Sequence, residues 1–140
     1  MDLRGEVAST LRGTAMVQLC VTLPCFLAAD MVSRALGLEG SGAIALPWLL
    51  IGAAPQVVAL SATLLLYYFD FRGSALAAAV TQLVGNGLGT LGVYLAGGPL
   101  GAGYALSCLL SCTVAIALLA RRMNGLIERT FQEQPYGFEV

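Results

Sequence analysis

The chain has 140 residues, 58% hydrophobic and 11% charged, a formal net charge of −1, seven arginines, and neither lysine nor histidine. Soluble globular domains carry roughly 25% charged residues. This composition, with a mean hydropathy of +0.82, excludes an ordinary soluble fold, a disordered tail and a nucleic-acid binder with a basic face. Without histidine there are no imidazole-ligated metals, Ser-His-Asp triads or Cys-His pairs.

A helix crosses the hydrocarbon core with about 20 mostly apolar residues, and charged residues bound the segments that qualify. The first is Gly13–Ala29, between Arg12 and Asp30. It is short, contains Pro24 and follows Arg4 and Arg12, the outline of a secretory signal. The small-residue site after it, Ala35-Leu36-Gly37, matches a cleavage site poorly, and more spans follow. The segment therefore reads as an uncleaved helix running to about Leu36, with Asp30 and Arg34 one turn apart near the interface, where they can pair.

The second segment, Ala43–Phe69, lies between Glu39 and Asp70. Pro47-Trp48 near its outer end suits an aromatic belt. Pro55 removes a backbone hydrogen bond and predicts a kink near Ile51–Ala54. Its inner end, Tyr67-Tyr68-Phe69-Asp70-Phe71-Arg72-Gly73, is an aromatic anchor followed by a tight charged turn. From Gly73 to Ala120 no Asp, Glu, Lys or Arg occurs. That run is too long for one span, and Gly97-Gly98-Pro99 divides it into Ser74–Ala96 and Leu100–Ala120.

The expected fold is thus an all-α integral membrane four-helix bundle. Its membrane domain covers 13–120, with helices at about 13–36, 43–69, 74–96 and 100–120. Segment 1–12 and tail 121–140 are expected to be cytoplasmic, the tail having little intrinsic structure from Gln132 to Val140. Arg4, Arg12, Arg72, Arg121, Arg122 and Arg129 fall on one side of such a bundle and Arg34 alone on the other. The positive-inside rule then puts both termini in the cytoplasm.

The third helix carries the main functional signal. Gln82, Asn86 and Thr90 recur every four residues and Tyr94 continues the row, a polar stripe on an otherwise apolar helix. Gly85 and Gly89 beside it permit close approach of another helix. A polar stripe facing lipid is costly, so it is expected to face protein, as interhelical hydrogen bonds, or a wet substrate path. Gly87-Leu88-Gly89-Thr90-Leu91-Gly92 matches the dinucleotide fingerprint G-x-G-x-x-G, but no strand precedes it and no acid follows until Glu128, so it is rejected. Cys20, Cys25, Cys108 and Cys112 form no C-x-x-C pair and lie within apolar spans, where they are expected to pack as small apolar residues. No catalytic residue, cofactor site or metal site is expected.

Several short motifs share an order with one family. Tyr68-Phe69-Asp70-Phe71-Arg72 resembles the Tyr-Phe-Asp-Arg turn of the PelG family of inner-membrane exopolysaccharide exporters, relatives of the polysaccharide flippases and multidrug transporters. Asn86 followed by Gly101-Ala102-Gly103-Tyr104 is similar, as is Glu128-Arg129-Thr130-Phe131-Gln132-Glu133-Gln134-Pro135 to the family's Thr-Phe-x-x-Gln-Pro ending. Phe71 departs from a basic residue in the family, and Arg129 from a frequent tyrosine. Family members are several-fold longer, so the resemblance implies the last four helices of a larger transporter, inactive alone if the reading frame is truncated. It also implies a polysaccharide substrate, and cytosolic glycosyltransferase and other synthase subunits as partners. Gln82, Asn86, Thr90 and Tyr94 would supply neutral hydrogen bonds to sugar hydroxyls, and Asp70 and Arg72 would meet partners at the cytoplasmic face. Two alternatives are a non-enzymatic assembly or scaffold protein and a small four-helix transporter acting as a dimer.

Overall fold

The computed structural model describes residues 3–132, with side-chain environments for residues 3–125. Among these residues all regular structure is helical: α1 (Leu3–Leu27), α2 (Ala29–Ala35), α3 (Ser41–Tyr68), α4 (Arg72–Leu95) and α5 (Ala102–Gln132). Within α1, α3, α4 and α5 lie stretches long and apolar enough to cross a membrane. This is the all-helical membrane architecture expected from the sequence.

The helices outrun the apolar segments. The helix α1 begins at Leu3 and α5 continues to Gln132, because arginine ends a hydrocarbon span without ending a helix, for which it is a good former. The first span is interrupted at Ala28 (φ −92°, ψ 9°), and α2 then carries the chain to Ala35. Asp30 and Arg34, both exposed on α2, do not pair with each other, and neither forms an ion pair among the described residues. By contrast α3 runs unbroken through Pro47 and Pro55.

Three helix ends close in the same way. Leu38 N–H donates to Ser33 O, Phe71 N–H to Leu66 O, and Gly98 N–H to Val93 O, each from two residues past the cap back to the last full turn. This Schellman closure needs a left-handed residue, normally glycine. Gly37 (φ +64°) and Gly97 (φ +68°) supply it for α2 and α4, but Asp70 (φ +59°) takes that position after α3.

Helix α5 is the centre of the bundle, packed against both α3 and α4, with α1 against α3. The core is built largely of small residues: Ala62 and Leu66 of α3, Ala75 and Ala78 of α4, and Ala115, Leu119 and Met123 of α5. Alanine cores suit membranes, where close backbone approach replaces the hydrophobic drive to associate. Leucines and valines instead cover the outer faces, including Val17, Leu23 and Leu27 of α1 and Leu88 and Leu95 of α4.

Candidate functional site

The seam between α4 and α5 sets the geometry of the polar groups. The two helices run antiparallel, pairing Ala78 with Ser111, Gly85 with Ser107, and Gly89 with Gly103. Ser111 donates to the Ala78 carbonyl at 3.3 Å. A Cβ on Gly85 would lie 3.3 Å from Ser107 Cβ, and one on Gly89 would lie 2.9 Å from Gly103 O. The small residues beside the polar stripe thus admit α5.

The stripe itself divides. An α-helix turns about 100° per residue, so a row spaced by four drifts by about 40° at each step. From Gln82 to Tyr94 the drift is about 120°. Gln82 therefore stays beside the α5 seam, whereas Asn86, Thr90 and Tyr94 wind onto an exposed face. Thr90 Oγ1 lies 3.3 Å from Asn86 Oδ1. Together with Gly87, Leu91 and Leu100, the three outer members line one open concavity.

Around Gln82 the structure assembles a polar cluster from three helices. Gln82 Nε2 donates to Cys108 Sγ at 3.4 Å. The Cys108 thiol in turn lies 3.7 Å from Gln56 Oε1, and the Tyr104 hydroxyl donates to that same oxygen. Gln82 Oε1 is buried and has no partner among the described residues. An unpaired buried carbonyl costs about 1–3 kcal/mol, and the thiol opposite the amide is only a weak hydrogen-bonding group.

A gap of about 220 Å³ opens beside this cluster, between α3 and α4 with α5 as its floor. Gln56 and Thr63 line it from α3, Ala79 and Gln82 from α4, and Ser111 from α5. Thr63 and Ser111 satisfy helix carbonyls with their hydroxyls. Gln56 is exposed although it sits near the middle of α3, far from either end where water would solvate it.

At the arginine-rich end Asp70 and Arg72 sit together in the α3–α4 turn, Arg72 Nε 2.6 Å from Asp70 Oδ1, both largely exposed. Arg122 reaches back from α5 to Ser74 Oγ at 2.9 Å, with its guanidinium 5.8 Å from the Phe71 ring centroid. That clamp fixes the start of α4 against α5.

Sequence reasoning found Gln82, Asn86, Thr90, Tyr94, Asp70 and Arg72 but missed Gln56, Tyr104 and Cys108 as one cluster. Gln56 is a lone amide in an uncharged span, a signal in its own right. Tyr104 and Cys108 lie one turn apart on α5 and point at α3, which only the helix packing reveals. The four cysteines lie within the apolar helices in different settings: Cys108 is buried, Cys112 is half-buried, and Cys20 and Cys25 are exposed on α1.

Four helices long and apolar enough to cross a membrane, packed along a small-residue seam, define a multi-pass membrane protein. The family model described as "PelG: Putative exopolysaccharide Exporter (EPS-E)" matches residues 2–131, and the chain belongs to that exporter family. Neither the curated proteins nor the solved structures yield a match.

Proposed function

We propose that the chain forms the C-terminal helical portion of an exopolysaccharide exporter in the cytoplasmic membrane, both termini cytoplasmic, and moves the glycan only together with further helices. Membership of the exporter family supports the substrate class. The carrying observation is that Asn86, Thr90 and Tyr94 face out of the bundle from a membrane-spanning helix. Polar groups facing lipid are disfavoured, so this face is one wall of a wet path. Its opposite wall comes from the rest of the transport assembly.

Asn86, Thr90 and Tyr94 offer neutral hydrogen bonds, which suit successive sugar hydroxyls that must be held and released in turn. Transport proceeds by rocking of one helical lobe against another around such a site. Asp70 and Arg72 lie at the cytoplasmic face, where a cytosolic glycosyltransferase and other synthase subunits hand over the growing chain. A scaffold without a path would be expected to bury its polar row within the bundle; three of the four stripe residues are exposed.

The test is Asn86→Leu in cells that secrete exopolysaccharide through this protein. Secreted polysaccharide is expected to fall at unchanged protein level in the membrane. Unaltered export would remove the stripe from the path.

A further inference from the structure

The α3–α4 gap contains features that helix packing alone leaves without a purpose. Gln82 puts its amide N–H on a thiol at 3.4 Å, a poor acceptor, while its carbonyl oxygen is buried without a partner among the described residues. Leucine would fill the same space without the polar cost. Across the gap Gln56 stays exposed near the middle of its helix, held in place through its carbonyl by the Tyr104 hydroxyl. That contact leaves the Gln56 amide N–H₂ free of side-chain partners in the cluster. The gap between the two amides, about 220 Å³, is lined otherwise by Ala59, Leu60, Ala78 and Ala79 with the Thr63 and Ser111 hydroxyls.

We infer that this gap is a saccharide subsite, in which Gln56 donates to and Gln82 accepts from the hydroxyls of one neutral sugar unit. The inference rests on the transport reading above and extends it from the outer face of α4 to the groove between α3 and α4. Gln82 is the adaptable member. Rotation of its amide away from Cys108 breaks one weak N–H···S contact and turns the carbonyl toward the gap that Gln82 already lines. An incoming hydroxyl then supplies the partner the oxygen lacks. Gln56 is the fixed member, because Tyr104 and Cys108 both contact its oxygen.

The chemistry also selects the ligand class. No Asp, Glu, Lys or Arg occurs from Gly73 to Ala120 or from Gly40 to Phe69, so nothing in the gap holds a charged group. Amides and hydroxyls read neutral hydroxyl-bearing rings. The groove is continuous in angle with the outer stripe: Ala79 of the gap lies between Asn86 and Thr90 when α4 is viewed end on, by the turn of about 100° per residue. A glycan following the outer row would meet Gln82 next.

The experiment compares Gln82→Leu, Gln56→Leu and Asn86→Leu in secreting cells, alongside thermal unfolding of each purified variant in detergent. If Gln82 serves a ligand, Gln82→Leu leaves the unfolding midpoint unchanged or higher and lowers export at least about tenfold. Gln56→Leu behaves likewise. If Gln82 is only packing, its loss lowers the midpoint and export falls no further than the folded protein does, which would overturn the subsite. Normal export by Gln82→Leu and Gln56→Leu with impaired export by Asn86→Leu would overturn the subsite while the outer path stands. Normal export by all three would remove both.

Discussion

Gly103→Ala tests the α4–α5 seam that holds the polar row of α4 against α5. A methyl group at Gly103 would land against the Gly89 carbonyl and the Thr90 amide, both backbone atoms that cannot swing aside. The reciprocal Gly89→Ala puts Cβ 2.9 Å from Gly103 O, where about 3.4 Å is comfortable, so α4 and α5 must part by about half an ångström. Overpacking of this kind costs about 1–3 kcal/mol, offset by at most about 1 kcal/mol from the better helix propensity of alanine. Gly103→Ala is therefore expected to be the more destabilising change, and the pair to be less than additive because both wedge the same contact. Gly87→Ala and Gly92→Ala are the controls, since nothing lies within 4 Å of either Cβ; they are expected to be neutral or slightly stabilising. Unfolding of the purified protein in mixed detergent micelles provides the readout. Gly103→Ala as stable as Gly87→Ala would refute the close α4–α5 approach.

The αL position of Asp70 predicts that Asp70→Gly is as stable as the parent or more so, whereas Asp70→Val loses about 1–2 kcal/mol, the cost of a left-handed β-branched residue. Loss of the exposed Arg72 partner contributes little to either, so thermal melting of Asp70→Gly below Asp70→Val would contradict this account of the turn. For topology, alkaline phosphatase fused after Pro99 is expected to be active and the same enzyme fused after Phe71 inactive; the reverse pattern would invert the proposed orientation.

Much of the fold was legible because membranes simplify it. Only helices and closed barrels satisfy their backbone in lipid, and apolar runs of about 20 residues fit helices where barrel strands need about ten; Gly97-Gly98-Pro99 placed the turn between α4 and α5. Gly85 and Gly89 announced a helix contact, and α5 supplies it. The helix ends were less legible because Arg12 and Arg121 bound hydrocarbon, not hydrogen bonding. The stripe at Gln82, Asn86, Thr90 and Tyr94 was visible as spacing, but its division was not. The drift of about 40° per step matters only once the direction of α5 is known. Gln56, Tyr104 and Cys108 come from helices distant in sequence, and no local pattern joins them.

The central claim is that the outer row of α4 faces water within the membrane. Single cysteines at positions 86, 90 and 94, in a chain whose own four cysteines are replaced by serine or alanine, test it with a membrane-impermeant thiol reagent. Positions 84, 88 and 95, exposed hydrophobics about 120–160° round the helix from the centre of that row at 100° per residue, are the reference. Cysteines at 86, 90 and 94 are expected to react in assembled exporter and those at 84, 88 and 95 to stay unlabelled. Silence at 86 and 90, or equal labelling on both faces, would contradict a wet path along α4.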